Sequence, residues 1–332
     1  MHIATEMLSA PVSASRHAQD GNDSFHHAGL LALGQALKEK EYRFTTVTPL
    51  THMRVNARPA NQWADSLAGV FGWSRPFHAA AIPAEIFELM QQARILQSHE
   101  NGWRCTLRAS TLNGELFFHS AYPTADNDAV FFGPDTYRFV DAIARHLERR
   151  TAPVERAVDI GCGAGPGAIA VAGRYPAAQV LAVDINDAAL RLTAVNATLA
   201  DAAGVTPVNS NLLSGVEGNF DLIVANPPYL VDPAERTYRH GGGPLGINLS
   251  LQIIDAAIER LRPGGTLLLY TGAPIVNGVD AFRNTAEERL CRANLACEYR
   301  EIDPDVFGEE LLNEAYSDTD RIAAVMLVGQ AK

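Results

Sequence analysis

The sequence predicts an α/β protein in which a doubly wound, mainly parallel sheet follows a smaller α+β domain. Strand-like and helix-like patterns alternate from about residue 150 to the end of the chain, and a glycine-rich turn follows the first strand of that series. A third observation is an apolar strand that stops at two prolines. Since 332 residues suggest about two domains, the predicted division is a mobile tail at 1–25, an N-terminal domain at 26–125 and the sheet domain at 126–332.

The N-terminal domain is predicted to combine helices with a hairpin. Four leucines between positions 30 and 37 share one helical face, and residues 42–47 are rich in aromatic and β-branched side chains typical of a strand. A helix is predicted at 84–93 because Pro83 suits a helix start. Asn113-Gly114 suits the type I′ turn of a hairpin between strands at 103–110 and 115–120. These elements are compatible with a winged-helix-like module.

The second half of the chain reads as repeated βαβ units. Predicted strands lie at 157–160, 180–183, 220–225, 266–270 and 322–328. Predicted helices lie at 168–173, 187–199 and 249–261. Because such units form parallel sheets that bind ligands at the carboxyl ends of their strands, functional residues are expected directly after the strands.

The composition is that of a globular protein with an acidic surface. Hydrophobic residues make up 47% and charged residues 20%, and the formal net charge is −11, which disfavours tracking along a nucleic-acid backbone. No apolar run of about 18 residues predicts a membrane span, and the N-terminus lacks the pattern of a secretion signal. The four cysteines show no C-x-x-C spacing and the histidines no metal-ligand spacing. We therefore predict a cytoplasmic protein with reduced thiols, no metal and no membrane association.

A glycine-rich turn is the first candidate binding element. Gly161, Gly163 and Gly165 follow the predicted strand, so the backbone can approach a ligand closely, and the next helix start offers free N–H groups. Asp184 ends the second strand, 19 residues after Gly165, where a carboxylate can accept hydrogen bonds from ribose hydroxyls. The same string also fits a dinucleotide fingerprint, G-x-G-x-x-A, or a purely structural turn, and Asp184 could be a helix cap. No P-loop pattern is present.

The segment Asn226-Pro227-Pro228-Tyr229 is the second candidate element. It follows the apolar strand at 220–225, and two prolines end a strand and fix a rigid turn. As an isolated pattern it is also compatible with a plain strand terminator. Its place after the glycine-rich turn and Asp184 favours a functional reading.

With these motifs, residues 128–330 resemble a class I S-adenosylmethionine-dependent methyltransferase of the [DN]PP[YFW] group. The resemblance implies a Rossmann-like fold and an enzyme that methylates planar nitrogens. Within that group the sequence is most similar to the release-factor glutamine methyltransferase and "methyltransferase small domain" branch. Two further segments support the resemblance: residues 132–136 resemble the family's proline-containing cofactor-lid segment, and residues 241–246 resemble its second glycine-rich loop.

The resemblance implies a role for each matching residue. Asn226 and the Pro227 carbonyl would each accept one N–H of the acceptor nitrogen, and Tyr229 would stack on its planar group. Asp159 and Gly161 would lie against the methionine part of S-adenosylmethionine, Asp184 would hold the ribose, and Asn211-Leu212 would contact the adenine. The expected cofactor-binding set is Phe132, Pro134, Thr136, Asp159, Gly161, Cys162, Gly163, Gly165, Asp184, Ile185, Asn211, Leu212 and Asn226.

The expected function is N-methylation of a planar nitrogen, first of all a glutamine amide in a protein. The alternatives are an adenine or guanine N-methyltransferase acting on RNA or DNA, and a small-molecule N- or O-methyltransferase of a biosynthetic pathway. A catalytically silent binding module is a different class of function, against which the intact motif residues argue. The predicted partner is the methyl acceptor, and the sequence predicts no oligomeric state.

Overall fold

The structure is a computed structural model that describes residues 25–124, 126–232, 236 and 238–332. The predicted tail at 1–25 lies outside the described residues except for Phe25, which is buried in the N-terminal core.

The N-terminal region forms helices followed by two antiparallel hairpins. Its longer elements are α1 (His27–Glu39), α2 (Pro49–Asn56), α3 (Ala84–Gln92), β1 (Leu96–His99), β2 (Gly102–Cys105), β3 (Leu107–Leu112) and β4 (Glu115–Ser120). The predicted turn and second strand of the hairpin are confirmed: β3 pairs with β4 through a turn in which Asn113 and Gly114 have φ of 52° and 90°. Positive φ at both central residues defines the predicted type I′ turn. The first strand, predicted at 103–110, is instead Leu107–Leu112, because β2 pairs with β1.

The strand predicted at 42–47 is wrong. This segment is extended but forms no strand in the described structure, because it meets β3 through a side chain. The Thr111 N–H donates to the Phe44 carbonyl at 2.8 Å, while the Phe44 N–H donates to the Thr111 hydroxyl at 3.2 Å. The Thr111 hydroxyl thus takes the place of the backbone carbonyl that would accept this hydrogen bond in a regular β-ladder.

The second half contains the alternating strands and helices that the sequence predicts. Its elements are α4 (Pro134–Arg149), β5 (Arg156–Ile160), α5 (Pro166–Arg174), β6 (Gln179–Asp184), α6 (Asp187–Leu199), β7 (Val205–Asn209), β8 (Phe220–Ala225), α7 (Asn248–Arg260), β9 (Leu261–Val276), β10 (Val279–Asp280), α8 (Ala281–Arg292), β11 (Ala296–Asp303) and β12 (Thr319–Gln330). The sequence did not predict α4, β7, β10, α8 or β11.

The sheet is doubly wound, which confirms the predicted fold class. Its strand order is β11-β12-β9-β8-β5-β6-β7, and β10 pairs with β9 at the side. The pairs from β7 to β9 are parallel, whereas β12 runs antiparallel to β9 and β11. From β5 the chain runs outwards through β6 to β7; it then crosses back to β8 on the other side of β5 and runs outwards again to β9. Because the strand order reverses between β5 and β8, a crevice is expected between them at their carboxyl ends.

The N-terminal region packs against the sheet domain through α6. Asn196 of α6 is fully buried; its amide oxygen accepts from the Phe118 N–H at 2.8 Å, and its amide nitrogen donates to the Phe118 carbonyl at 3.0 Å. It therefore extends the edge of the hairpin as a backbone group would. One continuous cluster of buried apolar residues runs from α1 through this contact to β5 and β9.

No helix within the described residues is long and apolar enough to cross a membrane.

Candidate active site

Strand register brings the predicted motif residues together in one row. Ile160 pairs with Val183 on one side and with Ala225 on the other. The next residue on each strand is Gly161, Asp184 and Asn226, respectively. Because neighbouring strands lie about 4.8 Å apart, these residues lie side by side at the carboxyl edge of the sheet.

A cavity of about 210 Å³ opens above this row. The predicted site residues that line it are Thr136, Asp159, Gly161, Cys162, Gly163, Asp184, Ile185, Asn211, Leu212, Asn226, Pro227 and Tyr229. The sequence therefore located one continuous surface, although its members are spread over some 90 positions of the chain.

Asp184 is fixed by the glycine-rich turn and still presents accepting capacity to the cavity. One carboxylate oxygen accepts from the Gly163 N–H at 3.0 Å, and the other accepts from the Asn186 N–H at 2.9 Å. Burial raises the pKa of this carboxyl, and the backbone N–H groups oppose that shift. Since each carboxylate oxygen has two lone pairs, one position on each oxygen is left for a ligand hydroxyl.

Asp159 lies deeper, with 1% of its surface exposed. Its carboxylate accepts from the Ala168 N–H at the start of α5, at 2.8 Å. Burial raises the pKa of Asp159 from 3.8 to about 7, and the neighbouring Asp184 charge adds to the shift. The floor of the cavity is therefore acidic, which suits a cationic ligand.

Asn226 and Pro227 turn the chain away from β8 at the cavity wall. Within the described part of the chain, neither the Asn226 side chain nor the Pro227 carbonyl has a hydrogen-bond partner. Both lie at a position that is half-buried or buried. Both acceptors are therefore available to a ligand at the cavity wall.

Tyr229 is anchored by a network that sequence reasoning missed. Its hydroxyl donates to the buried carboxylate of Asp135, which also accepts from the Tyr270 hydroxyl at 2.9 Å and from Arg138 at 3.0 Å. Arg138 then pairs with Asp303 at 2.8 Å. An acid in the first turn of a helix normally faces solvent, so only the burial of α4 could have revealed Asp135.

The glycine loop at 241–246 packs on the backbone of the same segment. A Cβ on Gly246, whose φ is +76°, would lie 2.3 Å from the Tyr229 carbonyl oxygen. The Gly241 N–H donates to the Leu230 carbonyl at 2.9 Å. The loop thus supports the Asn226–Tyr229 turn from behind; it does not line the cavity itself.

Three residues of the predicted cofactor-binding set do not line the main cavity. Phe132 stacks on His119 with ring centroids 4.9 Å apart, and both Phe132 and Pro134 line a second, neighbouring cavity. Gly165 faces α6, where a Cβ would lie 2.9 Å from the Thr193 methyl group. In the segment at 131–136, Phe131, Asp135 and Thr136 line the main cavity, whereas Phe132 and Pro134 face the second one.

The far end of the cavity combines exposed apolar and polar groups. Ile185 is 54% exposed although it is a large apolar residue. Asn211 and Leu212 follow β7 and line the same end. The described residues contain no cluster of His, Cys, Asp and Glu that could hold a metal ion.

The chain matches the family model "Methyltransferase small domain" over residues 138–273. The release factor glutamine methyltransferase of Deinococcus radiodurans is 33% identical over 168 residues, which cover 48% of this chain and 59% of the relative. That of Rhodopirellula baltica is 32% identical over 186 residues, which cover 51% and 62%. The chain thus spans less than two thirds of these relatives.

A longer match is to the ribosomal protein uL3 glutamine methyltransferase of Xanthomonas campestris pv. campestris, which is 30% identical over 220 residues, covering 59% of this chain and 69% of the relative. Among solved structures, a tRNA m1G37 methyltransferase of M. jannaschii aligns with a TM-score of 0.46 and 18% identity over 68% of this chain and 57% of that one. The identity and coverage of the Xanthomonas relative, together with the matching family model, show that the chain belongs to the methyltransferase small domain family.

Proposed function

We propose that the protein is an S-adenosylmethionine-dependent N-methyltransferase that methylates the side-chain amide of a glutamine in a protein. The observation that carries this proposal is the pair of unpartnered acceptors, the Asn226 side chain and the Pro227 carbonyl, at the wall of a cavity that also presents Asp184. The names of the relatives, which are glutamine methyltransferases, support the choice of acceptor.

The residues of the main cavity fit S-adenosylmethionine. A Cβ on Gly161 would meet no protein atom within 4 Å, so the turn leaves open space for a ligand that touches the backbone. Asp184 would hold the ribose hydroxyls, Ile185 would cover the adenine, and Asp159 would favour the positive charges of the methionine part. When bound, the sulfonium group supplies the methyl, and its transfer to nitrogen breaks a carbon–sulfur bond as a carbon–nitrogen bond forms.

The chain's own residues act on the acceptor nitrogen. An amide nitrogen is a weak nucleophile because its lone pair is delocalised into the carbonyl group. Two acceptors, Asn226 and Pro227, would bind its two N–H groups and hold the lone pair towards the methyl, which contributes orientation and electrostatic stabilisation. Asn226 is not a base, and the nitrogen releases one proton to water after it is methylated.

The rigidity of the turn is part of this mechanism. Two prolines fix the backbone of the segment, and Asp135 fixes the Tyr229 ring that follows. Because rate depends on sub-ångström placement of the acceptor, a turn held from both sides suits a reaction that has no strong base.

A radiolabelled methyl-transfer assay on fractionated lysate tests the proposal. Label is expected in the protein fraction, on glutamine. Asn226→Ala should lower the rate by about 100-fold or more, as does removal of one aligned hydrogen-bonding group from other active sites, whereas Asn226→Asp keeps an acceptor oxygen and should retain part of it.

The matched control is Asn61→Ala, since Asn61 lies in the N-terminal region, donates to the Val55 carbonyl at 2.8 Å and lines neither cavity. Label found only in RNA or only in small molecules would overturn the glutamine acceptor. It would favour the nucleic-acid or the small-molecule methyltransferase that the sequence also allows. Absence of label in all fractions, together with no binding of S-adenosylmethionine, would contradict the enzyme itself. The predicted cytoplasmic location belongs to this proposal and is tested by cell fractionation.

A further inference from the structure

A second cavity of about 190 Å³ lies between the N-terminal region and the sheet domain. It shares Phe131, Asp135 and Phe307 with the main cavity, so the two are neighbours across one wall. At about 30 Å³ per water molecule its volume corresponds to about six waters, which is enough for a small polar group on a short stem.

Arg108 lines this second cavity and is 5% exposed. Its Nε donates to the Gly72 carbonyl at 2.9 Å, and its guanidinium lies 5.7 Å from the ring centre of Phe44. Its Nη2 has no hydrogen-bond partner, and no carboxylate among the described residues forms an ion pair with it. Burial lowers the pKa of Arg108 to about 10, so the group still carries its charge at neutral pH.

His52 lines the same cavity, is 2% exposed and also has an unpaired nitrogen. The Asn56 amide nitrogen donates to the Trp73 carbonyl at 2.8 Å, and its amide oxygen accepts from Arg75 at 2.9 Å. This fixes the amide, so the same nitrogen, 3.4 Å from His52 Nδ1, is the donor of that contact. In the tautomer that satisfies this contact, Nδ1 accepts and Nε2 carries the hydrogen, so Nε2 is an unpaired donor.

Charge in the second cavity is uneven. Burial and the nearby Arg108 lower the pKa of His52 to about 4 and hold the pKa of His119 well below its usual range, so both rings are neutral. Arg138 is neutralised by Asp135 and Asp303. Asp305 and Glu309 add negative charge among the lining residues that come from the sheet domain. Arg108 is thus the lining cation that forms no ion pair with the described residues, although Asp305 and Glu309 line the same cavity.

Two unpaired buried donors, one of them charged, imply a missing acceptor. Buried polar groups without partners are rare because each loses its hydration without compensation. A carboxylate can accept from both groups at once, and a single negative charge would balance Arg108. A phosphate-rich polyanion is less suitable, because Asp305 and Glu309 would repel its further charges.

We propose that the second cavity binds a carboxylate of the methyl acceptor, held by Arg108 and His52, while the acceptor nitrogen reaches Asn226 in the main cavity. This inference rests on the proposed function and adds to it the second group that the acceptor must carry. The carboxylate belongs either to an acidic residue near the glutamine of a polypeptide or to a small acceptor molecule.

Calorimetric titration of the full chain, loaded with S-adenosylhomocysteine, tests the proposal with a matched pair of probes. N-acetylglutamine carries the amide and a carboxylate, whereas N-acetylglutaminamide replaces the carboxylate by a neutral amide. The carboxylate probe is expected to bind about tenfold more tightly. Arg108→Met should abolish the difference, and Arg145→Met, on the exposed face of α4, should preserve it.

Equal binding of the two probes, a preference that survives in Arg108→Met, or no binding of N-acetylglutamine at millimolar concentration overturns the proposal. Should Arg108→Met fail to fold, His52→Phe removes the second donor at similar volume and must weaken the preference several-fold. The failure of the proposed function is recognised separately, because S-adenosylhomocysteine would then not bind in the first step. Glutamine peptides with a neighbouring glutamate, compared with the same peptides carrying asparagine there, distinguish a polypeptide source from a small acid.

Discussion

The two cavities are built on opposite principles. In the main cavity each buried acid has partners: Asp159 accepts from α5, Asp184 from the glycine-rich turn, and Asp135 from two tyrosines and Arg138. In the second cavity the buried cation Arg108 and the neutral His52 each keep an unpaired nitrogen. The comparison teaches that burial alone does not define the role of a charged group: the acids of the main cavity are held in position by their partners, whereas Arg108 and His52 keep a nitrogen for the acceptor that we propose.

The largest effect is expected from a substitution that breaks the hydrogen-bond network around Asp135. Asp135→Ala leaves two tyrosine hydroxyls and a guanidinium without their common acceptor and should lower the free energy of unfolding by about 3 kcal/mol. Urea denaturation measures this loss. The control is Asp141→Ala on the same helix, where an exposed pair with Arg145 should contribute at most about 1 kcal/mol. Equal losses in the two variants would contradict the assigned role of Asp135.

The next effect sharpens the reading of Asp184 as a ligand-binding acid. Asp184→Ala should weaken binding of S-adenosylhomocysteine by about 100-fold, since it removes hydrogen bonds between a charged group and two hydroxyls and loosens the glycine-rich turn. Calorimetry provides the measurement, with Asp255→Ala, an exposed acid of α7 paired with Arg289, as control. Unchanged affinity in Asp184→Ala would remove ribose binding from this residue.

A third effect concerns pH. Because the pKa of Asp159 in the fold is raised to about 7 from 3.8, its contribution to stability is complete below 3.8 and is lost as pH rises through about 7. Between these values the wild type should lose up to about 1.4 kcal/mol of unfolding free energy per pH unit relative to Asp159→Asn. Urea titrations at a series of pH values compare the two proteins. Parallel curves would mean that Asp159 is ionised in the fold.

The smallest effect on the free energy of unfolding is expected at Arg108, the unpaired cation of the second cavity. Arg108→Met removes a buried charge that has one hydrogen bond, so the free energy of unfolding should change by no more than about 1 kcal/mol. Arg138→Met, which strands Asp135 and Asp303, should cost more. A loss of several kcal/mol in Arg108→Met alone would identify Arg108 as a structural group.

The sequence revealed the main cavity because its residues follow strands. Gly161, Asp184 and Asn226 each come directly after an apolar run, and parallel strands bring such positions to one edge of the sheet whatever their separation in the chain. The same logic predicted the doubly wound sheet.

The remaining features depend on contacts that no local pattern encodes. The face of the 131–136 segment that lines the cavity is set by how α4 packs, so Phe132 was chosen where Phe131 lies in the wall. The extended segment at 42–47 has strand composition but meets the Thr111 side chain. His52 and Arg108 lie 56 positions apart on α2 and β3, and only the folded N-terminal region places both in one cavity.

The two cavities share a wall, which is formed by Phe131, Asp135 and Phe307 and is called the partition here. Any ligand whose binding displaces this partition alters the affinity on the other side, and thermodynamic linkage requires the reverse influence to be of equal size. The donor and the acceptor would then also influence each other's binding through the protein: whichever arrives first would change the dissociation constant of the second, and a spent donor left in place would change the release of the methylated product.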